Sequence, residues 1–257
     1  MKTNSTILPG LVSITFRQLS PEEVLALVVQ AELGGIEWGG DVHVPHGEVD
    51  TARAIGEATR ARGIEVAAYG SYYHAGSDEG PDFTDVLETA VALGAPTIRV
   101  WAGTKGSANI SPDERIRVYK DLRRIAALAA KRALSVSIES HSNTLTDTIQ
   151  SAETLYDDFP DPNLYAYWQT RPEDSVEESL SAIAALLPRL MHIHVFHWTP
   201  GYERYPLAAG EASWMRYLRA IARDGARRFA LLEFVQDDEP ENFLQDAHTL
   251  RDWLENL

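Results

Sequence analysis

The sequence contains no cysteine. Disulfides, thiolate metal sites and cysteine nucleophiles are thereby excluded. It also lacks any apolar run long enough to span a bilayer. Positive charge is scarce: 23 Lys and Arg stand against 38 Asp and Glu, a formal net charge of −15. That balance argues against nonspecific binding to nucleic acid or to an anionic membrane. The opening residues Met1 to Thr6 show no secretory apolar core and no cleavage site. No glycine-rich dinucleotide fingerprint follows the first strand-like run. Interdomain linkers, low-complexity tracts and solenoid repeats are missing as well. What remains is a chain of 257 residues, 44% hydrophobic and 24% charged. Such a chain can bury a sizeable core. These properties fit a cytoplasmic enzyme acting on small molecules, in a single domain spanning 1–257.

Strand-like runs alternate with helical ones. Ile7–Phe16 is apolar and β-rich, and Ser20-Pro21-Glu22-Glu23 then starts a helix with Ser20 as N-cap. That helix ends near Leu33, and Gly34-Gly35 leads into Ile36-Glu37-Trp38. The unit recurs with helices over Val49–Arg62, Phe83–Leu93 and Pro112–Arg132, feeding strands at Ile64–Tyr69, Thr97–Ala102 and Leu134–Ser140. Further helices are expected near Leu145–Asp157, Ser175–Leu187, Ser213–Asp224 and Pro240–Leu257. Eight strand-then-helix units imply a parallel sheet closed into a (β/α)8 TIM barrel. A doubly wound open sheet is the alternative. Helix-to-strand links are short. Strand-to-helix links such as Gly39–Glu48, Ser71–Asp82, Gly103–Ser111 and His197–Ala212 are long. In a barrel those loops share the C-terminal face, where active sites lie.

Four hydrophobic runs end in polar groups. Ser135–His141 carries Glu139, Leu164–Thr170 carries Gln169, Leu190–Trp198 carries His192 and His194, and Phe229–Val235 carries Glu233. A carboxylate at the end of a buried strand is costly unless it meets a cation or several donors. Any one of these residues reads most simply as a singly satisfied polar group at a barrel rim. Four at equivalent positions point to one shared site. Two carboxylates, an imidazole and an amide oxygen suit Mn²⁺ or Mg²⁺, with Co²⁺ or Zn²⁺ as alternatives.

The chain resembles the sugar phosphate isomerase/epimerase superfamily, the xylose isomerase-like barrels. The residues that carry the resemblance are Ile138-Glu139-Ser140-His141, Asn163 through Gln169, His192-Ile193-His194, Arg204 followed by Gly210 and Trp214, and Leu232-Glu233-Phe234. In the ketose 3-epimerase branch the corresponding strand ends supply Glu, Asp, His and Glu to one divalent metal. The resemblance therefore implies Glu139, His194 and Glu233 as ligands. Gln169 stands where that branch has aspartate, which keeps an oxygen but loses one negative charge. The resemblance also implies Glu139 and Glu233 as the acid–base pair of an isomerase or epimerase working through an enediolate.

Further expectations concern the substrate. Arg204, in the seventh loop, is implied as a hydroxyl contact; the plainer reading is a solvated loop arginine. His141 is expected to orient Glu139 or touch substrate. His43, from Asp41-Val42-His43-Val44-Pro45-His46, and His197 are expected substrate contacts, while His46 is given no role. Among Trp38, Tyr69 and Trp101, which end strands, Trp101 is the expected wall of a sugar pocket. His192 lies deeper, where a histidine that is packed or supports a ligand is expected, not a ligand itself. The leading expectation is a metal-dependent isomerase or epimerase of a small sugar or polyol. A dehydratase of a keto-polyol would use the same metal and base. A repair endonuclease shares the barrel but gathers a richer ligand cluster, and the acidic charge opposes it. A non-catalytic ligand-binding barrel is the reading from another class. Barrels of this kind often pair, so a homodimer is the expected partner besides the small-molecule substrate.

Overall fold

The computed structural model describes residues 6–257. The reading of the N-terminal leader falls on residues 1–5, outside that range. Strands β1 (Ile7–Val12), β2 (Gly35–Gly39), β3 (Glu65–His74), β4 (Thr97–Trp101), β5 (Ser135–Glu139), β6 (Leu164–Trp168), β7 (Leu190–Val195) and β8 (Arg228–Leu232) form a closed barrel in sequence order. All neighbours are parallel, and β1 pairs with β8 to complete the ring. Helices α1 (Pro21–Gln30), α2 (Val49–Ala61), α3 (Phe83–Leu93), α4 (Pro112–Ala130), α5 (Ile149–Asp158), α6 (Val176–Leu186), α7 (Glu211–Ile221) and α8 (Pro240–Glu255) follow the strands in turn. Ser20, Ser111 and Ser175 each close a capping box, which satisfies backbone donors that the helix itself leaves free.

Strands in a barrel face inward and outward by turns. Outward residues such as Trp38, Ile98 and Ile193 pack beneath the helices in the large core. Inward residues fill the barrel with a smaller cluster that includes Val12, Ala67, Tyr167, Phe229 and Leu231. Above that cluster the interior turns polar.

Three departures from the expected boundaries matter for the site. The first strand stops at Val12, and Ser13–Phe16 turns as a 3₁₀ helix. That turn carries Arg17 to the barrel mouth. β3 runs to His74 instead of stopping near Tyr69, and its pairing with β4 slips between Gly70 and Tyr73. Tyr72 in the bulge adopts φ 54°, a strained conformation for an aromatic residue. α5 begins at Ile149, not Leu145, because Thr148 is its cap, accepting from Ser151 N. Residues 141–147 therefore form a loop, of which His141, Ser142, Asn143 and Asp147 line a cavity at the barrel mouth.

Candidate metal centre

Glu139, Gln169, His194 and Glu233 meet at the C-terminal mouth of the barrel. Glu139 is the last residue of β5 and His194 lies inside β7, while Gln169 and Glu233 directly follow β6 and β8. The ligand atoms of Glu139, His194 and Glu233 all lie within 4.8 Å of one another. His194 Nδ1 stands 3.4 Å from Glu139 Oε1, 3.4 Å from Glu233 Oε2 and 3.3 Å from Gln169 Oε1. Two adjacent ligands around an ion at about 2.1 Å are separated by about 3 Å. The donor set is thus close to the spacing that a small divalent ion requires, and it combines carboxylate, amide and imidazole donors suited to one.

The two glutamates are held differently. Glu139 Oε2 accepts from Trp101 Nε1 at 2.6 Å and from Arg99 Nη1, and its Oε1 accepts from Gln169 Nε2 at 3.1 Å. Gln169 Nε2 also donates to Ser140 O at 2.8 Å, which fixes the amide with its oxygen toward His194. Burial works against a charged Glu139, but Arg99 and then His194 outweigh it and hold the carboxyl well below the usual range. Glu233 accepts no side-chain hydrogen bond among the described residues. Burial pushes its carboxyl up, with Glu139 and Glu37 adding to the shift against the pull of His194.

Below these four side chains lies a buried charged layer that the sequence reading did not single out. Arg99, 2% exposed, donates from Nε to Glu37 Oε1 at 2.7 Å while its Nη1 reaches Glu139. Tyr167 donates its hydroxyl to Glu37 Oε2 at 2.6 Å. Space for this pair depends on Gly70. A Cβ there would lie 2.6 Å from Glu37 Oε1 and 2.7 Å from Arg99 Nη2. Burial raises Glu37, yet Arg99, followed by His194 and Tyr167, brings it down to about 2. The available signal was a single charge inside two apolar strands, Ile36-Glu37-Trp38 and Ile98-Arg99-Val100. It could have been read as an inward-facing pair.

A cavity of about 460 Å³ opens above the cluster. Trp101, Tyr72, Phe196, Trp198 and Phe234 supply aromatic walls, and Arg17 and Arg171 lie at the rim. Trp101 and His141, both expected at the substrate, line the cavity and lie against each other, with ring centroids 4.9 Å apart. His141 does not orient Glu139 by a hydrogen bond; its Nδ1 pairs with Ser142 O at 2.8 Å.

Three other expected substrate contacts do not line the cavity. His43 is 3% exposed; its nitrogens meet Ser13 Oγ at 2.9 Å and Leu19 O at 3.1 Å, so the ring braces the second loop. His197 packs toward the seventh loop, its ring against Tyr205 at 6.3 Å and its Nδ1 2.7 Å from where a Cβ of Gly210 would stand. Arg204 is spent on Asp238 Oδ1 at 2.6 Å and lies over the Trp198 and Phe234 rings. It braces the aromatic wall from behind. His192 is packed, as expected. Its Nδ1 accepts from Phe229 N and its Nε2 faces Ala67 O, and burial lowers it to about 4.

A family model described as the xylose isomerase-like TIM barrel matches residues 25–256, and the chain belongs to that family. Among its named relatives, the 3-dehydroshikimate dehydratase of Bacillus anthracis is 35% identical over 105 residues. That match covers 38% of this chain and 35% of the relative, about a third of its length. The crystal structure of the probable 3-DHS dehydratase AsbF from Bacillus anthracis superposes with a TM-score of 0.80 at 22% identity, covering 95% of this chain and 99% of that one. The 3-keto-D-glucoside 4-epimerase YcjR of E. coli gives a TM-score of 0.72 at 16% identity, covering 98% and 100%. No helix among the described residues is long and apolar enough to cross a membrane.

The site's electrostatics predict how metal binding there would depend on pH. Burial lowers the His194 imidazole, but Glu233, Glu139 and Glu37 outweigh it and raise it to about 10. The metal-free ring therefore keeps its proton below about pH 10, and a ligand imidazole must lose it. Apparent Mn²⁺ affinity should rise about tenfold per pH unit between about pH 7 and 9, with one proton released. Calorimetry in buffers of different ionisation heat reads that proton; an affinity flat across this range would remove His194 from the ligand set.

Proposed function

We propose that the chain is a divalent-metal-dependent lyase that removes water from a small hydroxylated ring ketone. The observation that carries this reading is the asymmetry of the two glutamates. Epimerisation through an enediolate needs two acid–base groups that exchange protons on opposite faces of the substrate. Here both oxygens of Glu139 are engaged by Arg99, Trp101 and Gln169, which suits a fixed anionic ligand. Glu233 is the carboxylate free to move a proton, and its raised affinity for one suits that task. The similarity to a named 3-dehydroshikimate dehydratase supports the same choice.

Glu139, His194 and Glu233, with the oxygen of Gln169, would hold the ion. When bound, it would supply positive charge beside the carbonyl oxygen as the neighbouring C–H bond breaks. Glu233 takes that proton. The electron pair forms the new C=C bond as the β C–O bond breaks, and the departing hydroxide takes the proton from Glu233 to leave as water. Aromatic walls of the cavity, Trp101 and Tyr72 among them, cover the apolar faces of the ring and exclude bulk water.

The test is to incubate Mn²⁺-loaded protein with 3-dehydroshikimate and, separately, with a panel of ketoses and cyclic keto-polyols. Mass spectrometry should find loss of one water. Products isomeric with their substrates, and no dehydration, would replace the lyase reading with the epimerase one.

The role of Gln169 is testable by itself. Gln169→Asp adds a third carboxylate facing the ion, so Mn²⁺ should bind on the order of tenfold tighter, because charge count tunes affinity for hard cations. The metal-free variant should melt lower than the parent, because the new charge faces Glu139. A folded variant with unchanged affinity by calorimetry would mean that the Gln169 oxygen is not a ligand.

A further inference from the structure

Resting on the metal reading above, we propose that Glu37 and Arg99 are positioning residues that set the geometry of two metal ligands from beneath. Glu37 is fully buried and does not line the cavity. It nevertheless reaches both ligands. Through Arg99, which bridges Glu37 Oε1 and Glu139 Oε2, it orients the carboxylate of strand β5. On its other side, Glu37 Oε2 is the carboxylate oxygen facing His194 Nε2, 3.7 Å away. That ring nitrogen is buried and has no hydrogen-bond partner among the described residues.

The two ring nitrogens divide the work. Nδ1 points at Glu139, Glu233 and Gln169. When Nδ1 holds an ion, the remaining proton sits on Nε2 and faces Glu37. A carboxylate behind a ligating imidazole fixes the tautomer, restrains the ring and raises its basicity. Tyr167, donating to the same oxygen of Glu37 at 2.6 Å, keeps that carboxylate in place. Gly70 keeps the space above Glu37 and Arg99 clear of a side chain. One buried carboxylate is thus coupled to an oxygen ligand and a nitrogen ligand at once. The barrel closes this link across β2, β4, β5 and β7, four strands with no local sequence relation.

The experiment measures metal alone, not turnover. Wild type, Glu37→Gln and Asp224→Asn are purified, stripped with chelator and titrated with Mn²⁺ by calorimetry. Each Co²⁺-loaded form is also recorded by visible absorption. Asp224 pairs with buried Arg228 at the far end of the barrel and serves as the control for lost stability. Glu37→Gln should weaken Mn²⁺ binding by about 10- to 100-fold and shift the Co²⁺ spectrum, as loss of a supporting carboxylate does elsewhere. Asp224→Asn should melt lower and leave both readouts unchanged. Tyr167→Phe should fall between wild type and Glu37→Gln. If Glu37→Gln does not fold, Tyr167→Phe, which frees the same carboxylate and keeps both charges, is read in its place. A folded Glu37→Gln, or Tyr167→Phe in its place, whose Mn²⁺ affinity stays within about twofold of wild type overturns the proposal. Wild-type protein that binds no Mn²⁺ overturns the metal reading instead, so the two failures are distinct.

Discussion

Glu233→Gln should lower kcat by on the order of 10²-fold or more, the usual cost of losing a positioned acid–base group. Gln keeps the size and one oxygen, so Mn²⁺ should still bind at higher concentration. The effect follows from the position of Glu233, beside His194 Nδ1 at 3.4 Å, at the cavity wall and, among the described residues, without a side-chain hydrogen bond to tie it down. Isotopic labelling gives a second readout. With substrate deuterated at the α-carbon, wild-type turnover should slow by a primary isotope effect, because that C–H bond breaks as Glu233 takes the proton. A kcat for Glu233→Gln equal to that of the parent would mean that Glu233 is a ligand only. Glu139→Gln should act differently, because it breaks the Arg99 pairing and the ligand set together. Its folded fraction and its metal affinity should both fall.

The largest loss of stability is expected for Arg99→Met. The guanidinium is the counter-charge of two buried carboxylates, and breaking a buried pair typically costs about 3–5 kcal/mol. The pH dependence should change. In the wild type Glu37 is held at about 2, below its ordinary value of 4.5. A depressed carboxyl contributes stability that is complete above the ordinary value and is lost as pH falls from there toward about 2. Without Arg99, burial is opposed only by His194 and Tyr167, so the carboxyl rises and its ionised form is less well supported. The variant's deficit should then be larger at pH 8 than at pH 5. Urea midpoints of chelator-treated protein across that range decide the matter. A deficit independent of pH would show that Arg99 contributes through packing alone.

Much of the architecture was legible from the chain. Capped helix starts at Ser20, Ser111 and Ser175, short glycine-marked returns and eight apolar runs left a closed barrel as the natural arrangement. Strand ends carrying Glu139, Gln169, His194 and Glu233 pointed to side chains that meet, because equivalent strand ends in a barrel converge. Less legible were the loops. His43, His197 and Arg204 offered suitable chemistry in long strand-to-helix links, but what a loop side chain faces depends on its local turns. His43 turned inward to Ser13 and Leu19, and Arg204 turned away to Asp238.

Local pattern determined element type, order and the polar strand ends, because period, capping and apolar alternation act over a few residues. It did not determine the inequality of the two glutamates. Glu139 and Glu233 end their strands in similar sequences, Ser-Ile-Glu and Leu-Leu-Glu. One is clamped by Arg99 from β4 and the other is left free, because closure of the barrel brings Gly70, Arg99 and Glu37 to one depth beneath β5. Arg99 lies 62 residues from Glu37 and 40 from Glu139. Charges that far apart in sequence acquire their partners only when eight strands meet around one axis, and the dry interior there makes each pairing decisive.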